Sequence, residues 1–225
     1  MSLILNIDTT SGTALVNIAE DGTVLFEETN PDQKDHAAFL HPAIQSLLKK
    51  AGTTLKDIDA IAVSYGPGSY TGIRVGVATA KGLSYASGKP LITLNELEIL
   101  AKDAINSSNS GNVLYCPMID ARRMEIFTAV YDKNFTTLLP SSALILNSNS
   151  FENILAENKM LFLGSGAEKW QQLCTHKNAF YSGIVNKGLA MSFLSIKKFR
   201  QGEFASLAYS GPLYIKDFHI ATVAR

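Results

Sequence analysis

The sequence predicts an α/β fold made of two copies of one unit, each with the element order β-β-β-α-β-α. Three observations predict it. Short apolar runs alternate with helix-length amphipathic segments; the same order recurs on either side of a polar stretch at 106–112; and the first strand of each copy ends at an aspartate, Asp8 and Asp120. Strands alternating with helices build mixed sheets flanked by helices. The repeat lies in element order, not in residue identity.

In the first copy, LILNI at 3–7 is a short apolar run ending at Asp8. TALVNIA at 13–19 and TVLFEE at 23–28 flank Asp21-Gly22, a hairpin signal. A helix follows from about Asp35 to Lys50, and IDAIAVSY at 58–65 reads as a strand. The glycine-rich stretch SYGPGSYTGIRVG at 64–76 turns into a helix over Tyr70–Ser87, with a strand at 90–94 and a helix opening at Asn95, a good N-cap residue. The stretch NSSNSGN at 106–112 has no apolar anchor and reads as a linker.

Beyond it, strands are expected at 113–119, 124–131 and 135–139, with Asp132-Lys133-Asn134 as a turn. A helix near 151–158, a strand at 160–163 and a helix near 167–174 complete the second copy. A helix near 189–201 and the closing GPLYIK are expected to pack back across the first unit.

With 225 residues, 46% hydrophobic and 18% charged, the chain has the balance of a globular protein and enough length for two cored units. Its formal net charge is zero, so the chain as a whole offers no electrostatic footprint for nucleic acid, and RNA affinity is expected from another component. Cys116 and Cys174 lack metal-ligand spacing and read as free thiols. The sequence opens directly on a strand without a basic leader, and no apolar run approaches the roughly 20 residues that span a bilayer. A cytoplasmic location is expected, with no membrane partner.

Several loops bear groups suited to chemistry. Asp8-Thr9-Thr10 puts a carboxylate beside hydroxyls and free N–H groups at a strand end. Such a loop suits a hydrated magnesium ion and a phosphate, or simply an Asx/Thr turn that starts a hairpin. Its counterpart, DARRME at 120–125, has Ala121, Arg122 and Arg123 where a phosphate loop wants glycine. Gly164 and Gly166, in GSGAEKW, form a strand-to-helix turn that either meets an adenine or ribose or has no ligand at all. The stretch at 64–76 fits neither GxxxxGK[ST] nor GxGxxG.

The helix after that stretch is more informative. At 100° per residue, Ile73, Val77, Ala80 and Ser84 share one face, and Val75, Ala78, Gly82 and Tyr85 lie roughly opposite. Its charges, Arg74 and Lys81, occupy one stripe. A helix apolar nearly all round needs cover on both sides, from this chain or from a partner, and its small residues let another helix approach. In the preceding helix, Ala37, Leu40, Ile44, Leu47 and Leu48 form the expected core stripe, with Phe39 and Ala43 on another side. The pair reads as a docking surface; burial within the chain is the alternative. His36 and His41 are five apart, about 140° around a helix, and so do not make a metal pair. No metal site is expected.

NIDTT, YGPGSYTGIRVGVATAKGL, MIDARRMEIFTAVY and the closing PLYIK together resemble the TsaB (YeaZ) family of bacterial tRNA threonylcarbamoyladenosine biosynthesis proteins, over essentially the whole chain. The resemblance implies an actin/sugar-kinase/Hsp70-like architecture of two ribonuclease-H-like lobes. The first would span 1–105, completed by about 203–225, and the second 113–202. It implies a chain that is not itself the catalyst and lacks a catalytic residue. It pairs with a TsaD-like paralogue that transfers threonylcarbamoyl to the adenosine next to the anticodon of tRNAs reading ANN codons. A TsaE-like ATPase joins them, tRNA is engaged indirectly, and the chain forms a homodimer when alone. The pairing surface carries over onto His36, Phe39, Ala43, Tyr70, Arg74, Ala78, Lys81, Gly82 and Tyr85. No cofactor of its own is implied, and a nucleotide would bind only in complex with the partner; the cofactor-binding candidates are those read from the loops themselves, Asp8, Thr9, Thr10, Gly164 and Gly166. Alternatives are a small-molecule kinase or ATPase using the Asp8 loop, and a metalloprotease of the related M22 group.

Overall fold

The computed structural model describes residues 1–32, 35–108, 111–183 and 186–216. Residues 109–110 of the expected linker and 217–225 of the segment expected to complete the first lobe lie outside them. The first sheet holds β1 (Leu3–Asp8), β2 (Ala14–Glu20), β3 (Thr23–Asn30), β4 (Ala60–Gly66) and β5 (Leu91–Asn95), in the spatial order β3-β2-β1-β4-β5. The second holds β6 (Val113–Asp120), β7 (Glu125–Tyr131), β8 (Thr137–Ile145), β9 (Lys159–Leu163) and β10 (Ala179–Ser182), in the order β10-β9-β6-β7-β8.

The two orders are the same once each copy's strands are matched. In each sheet the first three strands form an antiparallel meander, and the last two run parallel to the first. That mixed five-stranded pattern is a ribonuclease-H-like lobe, and it occurs twice. β1 and β4 are central and buried on both faces, which explains why they read as unbroken apolar runs. The Asp21-Gly22 turn joins β2 to β3 with both residues at positive φ, 49° and 90°, as a two-residue hairpin requires.

Among the described residues, six helices accompany the strands: α1 (His36–Lys50), α2 (Tyr70–Ser87), α3 (Glu96–Ser107), α4 (Glu152–Glu157), α5 (Ala167–Gln171) and α6 (Lys187–Gln201). Ser69 caps α2, accepting from the Gly72 N–H, and Gly88 ends it in the left-handed conformation at φ 69°. Asn95 caps α3 through the Leu97 N–H, as its sequence position suggests. α1 runs on through Pro42.

Each copy has one more strand and one more helix than the β-β-β-α-β-α order, and the extra helices are exchanged. α1 and α2 close one face of the first sheet. The other face is covered by Ala190, Met191, Leu194 and Ile196 of α6. The helix near 189–201 thus packs back across the first unit, as its place in the sequence leads one to expect, although it follows the second unit's strands. Conversely α3, from the first unit, lays Leu97, Leu100, Ala101 and Ala104 against Tyr115, Ile119, Ala129 and Tyr131 of the second sheet. α4 and α5 close that sheet's remaining face around Trp170 and Phe162.

Two second-lobe strands differ from expectation. β8 runs to Ile145, past Pro140, because it is an edge strand where a missing N–H costs little. β10 has only four residues and too little pattern to be read from sequence.

Candidate functional site

β1 delivers Asp8, fully buried, to the loop that begins the first hairpin. One carboxylate oxygen of Asp8 accepts the Thr10 N–H at 2.8 Å and the Thr10 hydroxyl at 2.7 Å, the Asx-turn alternative of the sequence reading. The other oxygen is ion-paired to the ammonium of Lys187, the first residue of α6. That ammonium also donates to the Ser11 hydroxyl at 2.8 Å and to Glu96 Oε1 at 2.9 Å. Glu96 is the first residue of α3, and its second oxygen accepts from Ser64 Oγ at 2.9 Å.

The charges fit the burial. Burial, then the negative charge of Asp8, pushes the Glu96 carboxyl up to about 7, against the pull of Lys187 and Ser64. Burial pushes Lys187 down, but Asp8 and Glu96 outweigh it and hold the ammonium above the ordinary lysine range. These residues do not fit a magnesium ion carrying a phosphate. Both oxygens of Asp8 are engaged within the chain, and an ammonium already lies between the two carboxylates.

The glycine-rich stretch lies directly against this loop. A side chain at Gly72 would collide with the Thr9 carbonyl oxygen, one at Gly68 with that of Thr10, and one at Gly76 with the Thr9 hydroxyl. Thr9 Oγ1 donates to the Gly72 carbonyl at 2.7 Å, and Ser69 N–H to the Thr10 carbonyl at 2.7 Å. Thr9 and Thr10 are both buried by this contact. The glycines therefore allow backbone to approach backbone, seating α2 on the hairpin loop.

In the second lobe, Asp120 pairs with Lys169 at 2.8 Å and accepts the Arg122 N–H at 2.6 Å. Burial raises its pKa, and those two hydrogen bonds outweigh it to leave the carboxyl below its usual value. Gly164 and Gly166 face β6. An added methyl would lie 2.5 Å from the Met118 carbonyl at Gly164, and 2.9 Å from the Ile126 side chain at Gly166. Both glycines pack the turn onto the sheet.

Residues 203–216 return to the first lobe. Ala205 N–H bonds the Leu91 carbonyl and Leu213 N–H the Tyr65 carbonyl, while Lys216 reaches Glu125 of the second lobe at 2.7 Å. A cleft of about 300 Å³ remains between this segment, the glycine-rich turn and the Ala121 loop, lined in part by Tyr70, Phe127 and Tyr214.

The outer side of α2 carries Tyr70, Arg74, Ala78, Gly82 and Tyr85, all exposed, with Tyr85 83% so. Arg74 lies 3.9 Å above the Tyr70 ring and donates to Tyr214 Oη at 2.9 Å. Lys81, half-buried, donates to the Ser210 carbonyl at 2.7 Å. On α1 the placement differs from expectation. His36 and Ala43 are buried and Phe39 is half-buried against the first core, while Ala37 is exposed. The buried arc is Leu40, Ala43, Ile44 and Leu47, an i, i+3, i+4, i+7 stripe that includes Ala43. Both ring nitrogens of His36 lack a hydrogen-bond partner among the described residues. His41 is exposed, so the two histidines share no site. Among the described residues no group of three or more His, Cys, Asp or Glu side chains is placed to hold a metal ion, and no helix is long and apolar enough to cross a membrane.

Sequence reasoning missed Lys187, Glu96 and Ser64. They meet Asp8 from elements far apart in the chain, and no local pattern marks them.

A repeated mixed sheet with exchanged helices defines a two-lobed, ribonuclease-H-like protein whose first strand-end loop is filled from within. The profile of the TsaD family, tRNA N6-adenosine threonylcarbamoyltransferase, matches residues 23–212. The tRNA threonylcarbamoyladenosine biosynthesis protein TsaB of Escherichia coli K12 is 29% identical over 222 residues, covering 95% of this chain and 94% of that protein. TsaB of Bacillus subtilis 168 is 32% identical over 174 residues (76% and 74% covered), and that of Haemophilus influenzae 32% over 195 residues (82% and 81%). YeaZ from Pseudomonas aeruginosa superposes with a TM-score of 0.79 at 22% identity, over 95% of this chain and 100% of that one, a likeness of fold. The chain belongs to the TsaB family, within the broader threonylcarbamoyltransferase family, and its role lies in tRNA threonylcarbamoyladenosine biosynthesis.

Proposed function

We propose that this chain is the non-catalytic, activating subunit of threonylcarbamoyl transfer, pairing through α2 with a catalytic TsaD-like paralogue. The supporting observation is the outer stripe of α2. Ala78 and Gly82 leave the helix backbone approachable, and Tyr70, Arg74 and Tyr85 flank them as larger, exposed contacts. Small residues let helices approach closely, and flanking aromatic and arginine side chains are what pairing surfaces favour. Lys81 braces the stripe through Ser210, Phe39 adds its exposed edge, and His36 and Ala43 support α1 from inside.

The group transferred is threonylcarbamoyl, and the acceptor is the adenosine next to the anticodon of tRNAs reading ANN codons. The paralogue holds the reacting groups, a TsaE-like ATPase completes the assembly, and tRNA is approached through the complex in the cytoplasm. This chain brings no cofactor; any nucleotide sits with the partner. Without the paralogue the same stripe pairs two copies of the chain. The Lys187–Asp8 pair argues against a kinase or ATPase built on the Asp8 loop.

Reconstitution tests this reading. An ANN-reading tRNA is incubated with the paralogue, the ATPase and threonylcarbamoyl-adenylate, and the modified nucleoside is measured by mass spectrometry. Modification that needs this chain and is lost with Ala78→Arg supports the proposal. Full modification in its absence refutes it.

A further inference from the structure

The Asp8 loop sets a carboxylate beside hydroxyls at a strand end, a composition suited to a metal-bound phosphate, yet its carboxylates already enclose a cation. We infer that the Lys187 ammonium is the resident cation of this loop, holding Asp8 and Glu96 as a bound divalent ion would and closing the loop to metal and phosphate. This goes beyond the pairing role and is independent of whether α2 is a pairing surface.

Stoichiometry and geometry carry the inference. A lysine ammonium has three protons to donate, and three acceptors meet it: Asp8 from β1, Ser11 from the hairpin loop and Glu96 from α3. The Lys187 side chain is 13% exposed, Glu96 2% and Asp8 0%, so the pairs lie out of reach of solvent screening. Without the ammonium, Asp8 and Glu96 would share a buried site with no counter-charge, a state that protonation of Glu96 or another cation relieves.

The helix start beside Lys187 is anchored as well. The carbonyl of its neighbour Gly188 accepts from Asn17 Nδ2 at 3.2 Å and from Ser192 Oγ at 2.8 Å. Asn17 is in turn bonded by Asn6 at 2.9 Å. The helix start that carries Lys187 is therefore anchored to β2, and the ammonium itself is held by its three acceptors. Glu96 binds Ser64 through its other oxygen, so the second carboxylate is held as firmly. One lysine thus fastens the starts of both exchanged helices to the end of β1.

The test uses the full chain as wild type, as Lys187→Ala and as Lys187→Ala/Glu96→Gln. Mn2+ binding is followed by electron paramagnetic resonance, and Tm is measured with and without Mn2+. The wild-type protein is expected to show no saturable Mn2+ binding and no Tm shift. Lys187→Ala is expected to melt lower, to bind Mn2+ at least about tenfold more tightly than wild type, and to regain stability with it. The double variant should lose that response. A wild type that binds Mn2+ as tightly as Lys187→Ala, or a folded Lys187→Ala with no response, would overturn the inference. If Lys187→Ala does not fold, NMR of the wild-type ammonium decides. A slowly exchanging Lys187 NH3+ signal at neutral pH supports the inference, and a signal averaged with solvent like that of a surface lysine overturns it.

Discussion

The hydroxyl of Thr9 donates to the carbonyl of Gly72, and the Gly72 Cα presses so closely on the Thr9 backbone that no larger residue fits there. The same helix contains Gly82, where an added methyl would meet nothing within 4 Å. Gly72→Ala is expected to destabilise the chain by about 3 kcal/mol or more, because backbone and not a flexible side chain must yield. Gly82→Ala should be neutral or stabilising by up to about 1 kcal/mol, from helix propensity alone. Urea unfolding of the two variants checks this contrast, and equal effects would refute it.

Glu96 gives the stability a pH dependence of known sign. Its carboxyl titrates near 7 in the folded chain against 4.5 in its ordinary state, so between those values the native state holds a proton that the unfolded state has lost. Stability from this group is complete below 4.5 and falls as pH rises through about 7, by up to about 3 kcal/mol. Lys187 is held above 10.5, so its contribution is complete below that value and is lost only at higher pH, outside this window. Denaturant unfolding between pH 5 and 8 is expected to show the fall in wild type and a flatter profile in Glu96→Gln. Identical profiles would count against the assignment.

The two thiols should differ in reactivity. Cys116 is buried in the second sheet, 3.3 Å from Thr128 Oγ1, and burial pushes its thiol up to about 12. Cys174 is only half-buried. Native labelling with a thiol reagent at pH 8, followed by peptide mass mapping, is expected to mark Cys174 and spare Cys116. Unfolding should expose both.

What the sequence revealed follows from what is local. The doubled unit, the Asp21-Gly22 hairpin, α2 and the Asn95 cap depend on residues a few positions apart, and each was legible. The faces of α1 were less so. Ala43 is equally at home in a core or on a docking surface, and only the surrounding sheet places it in the core. β10 was too short to show a pattern. The return of α6 to the first unit was expected from its place after the second unit, whereas the crossing of α3 to the second sheet is invisible to periodicity, because an amphipathic helix does not say which sheet it covers.

The site shows the same division. Asp8 and the glycines stood out in the sequence because carboxylates at strand ends and clustered glycines are conspicuous. What they do depends on Lys187, 179 residues from Asp8, and on Glu96, 91 residues from Lys187. That ion cluster is a product of the helix exchange, which brings the first residues of α3 and α6 to the same strand end.

Mass-resolved size-exclusion chromatography of the purified chain, alone and mixed with its TsaD-like paralogue, and repeated with Ala78→Arg, tests the pairing account most directly. A homodimer that gives way to a one-to-one heterodimer, with both lost in the variant, is the predicted result. A chain that stays monomeric and ignores the paralogue, or an Ala78→Arg variant that pairs as the wild type does, would contradict it.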